Sequence, residues 1–470
     1  MKIEQIYTGC LAEAAYYVES AGEVAIIDPL REVSPYLERA QKDGAKIKYI
    51  LETHFHADFV SGHLDLAKRS GGTIVFGPTA EPAFEAHVAK DGEEMKLGEV
   101  TLIVLHTPGH TMESTTYLLR DEKGKDHCIF TGDTLFIGDV GRPDLAVKTD
   151  LSREDLAGHL FDSLRDKIMP LADDVIVYPG HGAGSACGKN MSKETSDTLG
   201  NQKKFNYALR SDMPKSGFVK EVTDGLVEPP QYFPKNAVMN KTGYESIDAI
   251  LQRGATALTP EKFEEKIKNH RALVLDARSP GEYAQGHIPG AIFIGLDGSF
   301  ASWAGTLITD LNQPLVTVAP RGREEEAVTR LSRVGYDNTL GYLQGGLQAW
   351  QEAGKGIATI RQIEAGEMAQ KIKQDDPVKL LDVRKASEYE SQHIHGVTNF
   401  PLDFINKNIG QLDRDTPYFL HCLSGYRSMV AASILQSKGF ASVTDVKGGF
   451  NELSKTGLPL TQYMPPVTML

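Results

Sequence analysis

KIKYILETHFHADF, residues 46–59, decides how the first part of this chain folds. Its first half is a short apolar run rich in β-branched and aromatic residues, the pattern of a buried strand. Its second half breaks into alternating donors: His54, His56 and Asp58. A strand that ends in such a turn can aim several donor atoms at one point. The pattern repeats outward from there. EVAIID (23–28), GTIVFG (72–77), TLIVLHTPGH (101–110), CIFTGD (128–133) and DVIVYPGH (174–181) are apolar runs that end in His, Asp or Gly. Between them SPYLERAQKDG (34–44) has helical spacing and a glycine stop. Alternating strands and helices predict an α/β domain over about the first 210 residues. Loops leaving strand ends are where such sheets hold ligands. His54, His56, Asp58, His110, Asp133 and His181 all fall at those exits, and together they have the chemistry of a metal site.

The chain has 470 residues, which at roughly 100–200 residues per domain predicts about two to four domains. A net charge of −13 counts against general binding to nucleic acid or anionic membranes. No apolar run reaches the ~18 residues of a spanning helix. The N-terminal MKIEQIYTGCLAEAAYY has no basic segment followed by an apolar one, so no secretory leader is expected. The four cysteines, Cys10, Cys128, Cys187 and Cys422, lie far apart without a CxxC pair. That excludes a disulfide framework and a Cys-rich structural zinc site, and it fits a reducing, cytoplasmic compartment.

Residues 211–250 contain several prolines and other helix breakers and are expected to form a linker. Beyond them ALVLDARSPGEYAQGHIPGAIFI (272–294) matches VKLLDVRKASEYESQHIHGVTNF (378–400), and LQGGLQAW (343–350) matches VKGGFNEL (446–453). A repeat of about 105 residues is domain-sized and far longer than a solenoid period. Each copy opens with a buried strand ending in Asp-x-Arg: Asp276 and Arg278, then Asp382 and Arg384. The expected division is residues 1–250, 251–356 and 357–470. In the second copy, PYFLHCLSGYRSM (417–429) delivers Cys422 from a strand into a short loop before a helix. Backbone N–H groups of such a loop favour an anion and a thiolate, and Arg427 adds a charge. The first copy reads LVTVAPRGREEEAV (315–328), with Arg323 aligned to Arg427 and Val318 where Cys422 sits. It has no thiol, and Glu324, Glu325 and Glu326 would repel an anion. It is expected to be a structural domain, a spacer or a docking surface.

The His/Asp pattern over residues 1–210 resembles the metallo-β-lactamase superfamily, whose mark is HxHxDH followed by a later His, Asp and His. The Cys-x₄-Arg loop, with D-x-R…EY…HI before it, resembles the rhodanese family of sulfurtransferases over about 255–355 and 358–465. The whole resembles a persulfide dioxygenase–rhodanese fusion. The implied fold is an αββα metallo-β-lactamase sandwich followed by two tandem rhodanese-like α/β domains. Phe59 departs from the superfamily pattern, because the second metal of its zinc hydrolases needs a histidine there. His63, one helical turn on, is the available substitute. The persulfide dioxygenase branch implies one Fe(II) per chain on His54, His110 and Asp133, with His56 close but unbound. Two imidazoles and a carboxylate are the facial triad of non-haem Fe(II) oxygenases.

The same resemblance implies that Arg142, in TLFIGDVGRPD (134–144), holds a carboxylate or phosphate of a carrier thiol, and that Tyr178 touches substrate. The plainer alternatives are an ion pair with a neighbouring Asp and a core tyrosine. Cys422 would carry a persulfide, with Leu423, Ser424, Gly425, Tyr426 and Arg427 cradling the sulfur or an oxyanion. The implied partners are a low-molecular-weight thiol persulfide, O₂, and sulfite or thiosulfate, in sulfide detoxification. Nucleic acid and membrane are not expected. The alternative is a glyoxalase II-like thioester hydrolase with an appended rhodanese. Cys187, in GAGSACGKN (182–190), is either a second thiol near the first site or incidental. The carrier thiol (glutathione, coenzyme A, bacillithiol or other) stays open, and the chain is compatible with a homo-oligomer.

Overall fold

The computed structural model describes residues 1–146, 151–374 and 378–465. The chain forms two compact units, the first essentially residues 1–247 and the second from 248 onward. Among the described residues no helix is long and apolar enough to cross a membrane.

Strand Glu13–Ser20 shows how the first unit is built. Side chains alternate across a strand. Ala14, Tyr16 and Val18 accordingly fall in one core, and Ala15 and Tyr17 in another. The strand belongs to a six-stranded sheet ordered Lys2–Thr8, Glu13–Ser20, Glu23–Ile27, Lys46–Leu51, Thr73–Phe76, His87–Val88. A second six-stranded sheet runs Glu94–Leu97, Val100–His106, Thr115–Arg120, Asp126–Gly132, Ile176–Pro179, Asp197–Thr198. Between the sheets Tyr16 and Val18 meet Leu102, Val104, Tyr117 and Phe130. Outside the first sheet, Tyr17 and Ile26 pack with Tyr36 and Ala40 of helix Ser34–Lys42. Outside the second, Ile129 and Val177 pack with Leu160 of helix Arg153–Ser163 and Phe218 of helix Lys215–Thr223. Each sheet is apolar on both faces, so helices must cover the outer ones, and the expected αββα sandwich results.

The expected linker at 211–250 is a correction. It contains helices Lys215–Thr223 and Phe233–Thr242 and the start of Ile247–Gly254. Pro214 caps the first of these helices, and the second has proline in its first turn. Proline there starts a helix, because the missing N–H has no intrahelical partner to lose. Phe218 and Val222 are buried in the first unit's core.

The second unit contains two five-stranded sheets of one strand order. The first runs Ala257–Leu258, Thr339–Leu343, Leu315–Val318, Leu273–Asp276, Ile292–Phe293. The other runs Arg361–Ile363, Val443–Val446, Tyr418–His421, Lys379–Asp382, Thr398–Asn399. All neighbours are parallel. The shared sequence pattern is a folding staple in both. Arg278 forks onto Asp276 and donates to the Gly286 carbonyl at 2.8 Å; Arg384 forks onto Asp382 and donates to the Gln392 carbonyl at 2.9 Å. Tyr283 stacks on His287 at 3.9 Å between ring centres, and Tyr389 on His393 at 3.6 Å. The tyrosine hydroxyls donate to the Ala291 and Val397 carbonyls at 2.7 and 2.6 Å. The staple thus closes the segment that returns to the next strand.

Candidate functional site

Strand Lys46–Leu51 leads into a buried turn held by Asp28, which itself sits at φ +50°. Thr53 donates its N–H and its hydroxyl to the two Asp28 oxygens, each at 2.8 Å. The hydroxyl also lies 3.0 Å from His54 Nδ1. Its proton is given to Asp28, so it accepts from His54 Nδ1–H and leaves the Nε2 lone pair free. His110 follows strand Val100–His106, and its Nδ1 lies 2.8 Å from the Arg142 carbonyl. A carbonyl only accepts, so Nδ1 carries the proton and Nε2 is again free, 3.4 Å from Asp133 Oδ2. Asp133, at the end of strand Asp126–Gly132, binds His181 Nδ1 through Oδ1 at 2.8 Å. Its Oδ2 is buried without a hydrogen-bond partner.

Donor atoms of His54, His110 and Asp133 all lie within 4.8 Å of one another, and all three residues are buried. An orphaned buried carboxylate oxygen facing imidazole lone pairs is costly unless a cation is held there. Protonation agrees with that role. Burial, aided by His56 and His110, keeps the His54 imidazole well below its usual pKa. Burial alone would raise the Asp133 carboxyl, but His181, His110 and His54 hold it below the carboxylate range. Neutral imidazoles and an ionised carboxylate are the states that ligate.

In the second unit, strand Tyr418–His421 delivers Cys422, and Gly425 turns the chain at φ +109° into helix Tyr426–Ser437. The Gly425 N–H donates to Cys422 Sγ at 3.1 Å. No acidic residue occupies the first turn of that helix, so its N-terminus is open to an anion. The Arg427 fork is engaged by Glu388 at 2.5 and 2.8 Å, which offsets the charge expected at the loop. The Tyr426 side chain points elsewhere, its hydroxyl donating to the Gly295 carbonyl at 2.8 Å. Leu423, Ser424 and Gly425 form the loop itself. A groove of about 840 Å³ lies beside it, lined by residues that include Lys385, Leu423, Phe450 and Lys455.

The metallo-beta-lactamase superfamily model matches residues 8–181, and the rhodanese-like domain model matches residues 259–353 and 364–456. A solved metallo-beta-lactamase from Staphylococcus aureus subsp. aureus COL superposes with a TM-score of 0.66 at 32% identity, covering 73% of this chain and 98% of that one. The hydroxyacylglutathione hydrolase of Haemophilus influenzae is 30% identical over 209 residues, 40% of this chain and 87% of that protein. The mitochondrial persulfide dioxygenase of Homo sapiens is 30% identical over 161 residues, 34% of this chain and 59% of that protein. This chain belongs to the metallo-beta-lactamase superfamily. Two rhodanese-like domains follow its metallo-beta-lactamase domain.

Within the metallo-beta-lactamase domain the remaining motif residues separate into two further groups. His56 Nε2 lies 3.0 Å from Asp28 Oδ1 and 3.6 Å from Glu52 Oε2. His181 Nε2 lies 2.8 Å from Asp58 Oδ2, and Cys187 joins that pair in a second buried set. Burial first, then the Asp58 and Asp133 charges, push the Cys187 thiol well above its usual pKa. Phe59 is fully buried with its ring against His56 at 4.3 Å. His63 does not replace the missing histidine. It stacks on Phe84 at 5.0 Å and turns Nδ1 to Glu52 at 3.3 Å, and burial pulls its pKa down to about 3.

Arg142 is buried and its donors are taken by Asp144 at 2.6 and 2.8 Å and by the Val227 carbonyl at 2.5 Å. That is the ion-pair alternative, and it leaves no fork for a substrate carboxylate. Its carbonyl instead orients His110. Tyr178 is half-buried, stacked on Phe130 at 5.5 Å beside the inter-sheet core. Asn240 escaped the sequence reading. Its amide donates to the His56 and Phe59 carbonyls at 2.8 Å each and accepts from Ser61 N–H, which holds the donor-bearing turn. Nothing local marks Asn240, since the turn it caps lies about 180 residues earlier.

The rhodanese-like repeats need a one-residue correction. Asp276 pairs with Val318 across the first sheet, and Asp382 pairs with His421 across the other. Val318 is therefore the counterpart of His421, and Ala319 stands opposite Cys422. The loop before Arg323 is one residue shorter than the loop before Arg427, which an ungapped alignment from the arginine hides.

Proposed function

We propose that this chain oxidises a low-molecular-weight thiol persulfide with O₂ and water to thiol and sulfite, and moves sulfane sulfur through Cys422 to or from thiosulfate. The observation that carries the first half is the pairing of an intact His54, His110, Asp133 set with Phe59. Relatives at equal identity include a hydrolase and a persulfide dioxygenase, so identity does not choose between them. Phe59 supports the dioxygenase reading, because a hydrolase with two metals needs a ligand there. An Fe(II) on His54, His110 and Asp133 would supply redox activity and open positions, where zinc offers only Lewis acidity and an activated water. The chain's own part is to present two Nε2 lone pairs, fixed by Thr53 and by the Arg142 carbonyl, and one ionised oxygen. Burial of all three keeps bulk water away.

At Cys422 the Gly425 N–H and the open helix end support a thiolate or a persulfide. A persulfide there is a sulfane donor, and sulfite accepts it to give thiosulfate and the free thiol. The groove beside the loop has the size of a site for an organic molecule, which favours a carrier thiol beside the small oxyanions. Carrying both sites on one chain raises the concentration of each near the other. Arg142 is not assigned to substrate, since its fork is spent. The test is an oxygen electrode run with a thiol persulfide beside a thioester hydrolysis assay, on anaerobically purified protein of measured metal content. O₂ uptake with about one iron per chain is expected. Two zinc ions with hydrolysis and no O₂ uptake would establish the glyoxalase II-like alternative instead.

A further inference from the structure

The first rhodanese-like repeat keeps the folding staples and has no thiol, so its place in the chain needs another reason. Helix Tyr426–Ser437, which follows the Cys422 loop, supplies one. Its residues 428–435 are all buried, consecutive positions that point all round the helix. A helix apolar and buried on every side must be covered from every side. Its own sheet covers one side, where the Ser428 hydroxyl donates to Asp445 at 2.6 Å. The first repeat covers the other. Phe293 N–H donates to the Ser433 hydroxyl at 3.0 Å, and His287 Nε2 lies 2.8 Å from the Gln436 side-chain oxygen.

Tyr426 makes the contact nearest the loop. Its hydroxyl donates to the Gly295 carbonyl at 2.8 Å, and its ring meets Phe293 edge-on at 5.7 Å. The ring fits only because residue 298 is glycine, since a Cβ there would lie 2.4 Å from Tyr426 Cζ. The turn from Gly295 to Gly298 is clamped in its turn from helix Glu324–Ser332 and the residue before it. Arg330 donates to the Leu296 carbonyl at 2.8 Å, and Arg323 pairs with Asp297 at 2.6 Å. Arg323 is the counterpart of Arg427. In the repeat without a thiol, the arginine of the anion loop holds the turn on which Tyr426 sits.

We propose that the thiol-less repeat is the platform that positions the Cys422 loop, with Tyr426 as the positioning residue seated on the Gly295 to Gly298 turn. The proposal rests on the sulfur-transfer reading of Cys422. Tyr426 lies in sequence between Gly425, whose N–H faces Cys422 Sγ, and Arg427. Displacing its ring moves the donor and the charge together, and small misplacements of such groups are expensive in rate.

The full-length chain tests this with Gly298→Ala, Tyr426→Ala and Tyr426→Phe. Alkylation of Cys422 is followed site by site by mass spectrometry, with anionic iodoacetate against neutral iodoacetamide, beside thiosulfate-to-cyanide transfer. An ordered anion loop favours iodoacetate. Gly298→Ala and Tyr426→Ala should lower the iodoacetate-to-iodoacetamide rate ratio and raise KM for thiosulfate, each by roughly tenfold. Tyr426→Phe keeps the ring and should lose only about twofold. An unchanged ratio and KM in the folded fraction of both larger variants would overturn the proposal. If Gly298→Ala does not fold, the Tyr426 pair decides alone. If the wild type moves no sulfur while the ratio still falls in the variants, positioning stands and the sulfur-transfer reading fails.

Discussion

Asp276 with Arg278 and Asp382 with Arg384 make the same clasp, and Tyr283 on His287 repeats as Tyr389 on His393. The strands that follow then diverge. Leu315–Val318 runs into Ala319 and a helix whose first turn is Glu324, Glu325 and Glu326. Tyr418–His421 runs into Cys422 and a helix with no acid in its first turn. In the first repeat the chain itself places negative charge at the helix N-terminus, the charge a bound anion would bring. In the second that end is left open. The residues most alike between the repeats hold backbone in place, so they are shared by the repeat that has a thiol and the one that has none. A family pattern made of staples is thus a strong sign of fold and a weak sign of activity.

Exchanging the thiol gives the largest effect. Cys422→Ser should cut sulfur transfer by at least about a thousandfold and turn the product of persulfide oxidation from thiosulfate to sulfite, with O₂ uptake nearly intact. Adding Ala319→Cys to that variant should restore nothing, since the acidic helix start remains. Recovered transfer would show that the two loops differ only in the thiol. His110→Ala should remove iron and lower persulfide-dependent O₂ uptake by at least about a hundredfold, with Cys422 transfer within twofold of wild type. Joint loss of both activities in a folded protein would break the separation of the two sites. Cys187→Ser leaves the His54, His110, Asp133 set intact. If Cys187 relays sulfur beside it, the sulfite-to-thiosulfate ratio should change at constant iron content; an unchanged ratio and rate make this thiol incidental.

The smallest effect concerns Glu388. Burial would raise its carboxyl, but the Arg427 pair holds it below the usual range. The folded state therefore binds fewer protons here than the unfolded one. This contribution to stability is present above the unfolded carboxylate pKa and lost as pH falls through the depressed folded value. Glu388→Gln should flatten that part of the melting-temperature profile in acid. An identical profile in both proteins would mean the pair adds nothing.

Much of this was legible from the chain. Strand exits at His54, His110, Asp133 and Cys422 could be read because apolar runs and their polar ends are local, and so could the second repeat. The residues at 211–250 misled because proline reads as a breaker until its place at a helix start is known. His63 and Arg142 misled for another reason. Each has the right chemistry, and only packing shows that Glu52 and Asp144 already hold it.

By itself, the sequence determined the alternation of strands and helices, the tandem repeat, the missing thiol of the first copy, and Phe59 where the superfamily pattern has a histidine. These depend on residue identity and near-neighbour periodicity, which no packing can alter. Tertiary structure alone decided which lone pairs stay free at His54 and His110, that Ala319 rather than Val318 is the counterpart of Cys422, that Asn240 holds the donor-bearing turn, and that Gly298 makes room for Tyr426. Each of those depends on atoms brought within a few ångströms from distant parts of the chain, and hydrogen bonds and steric contacts act only over that range.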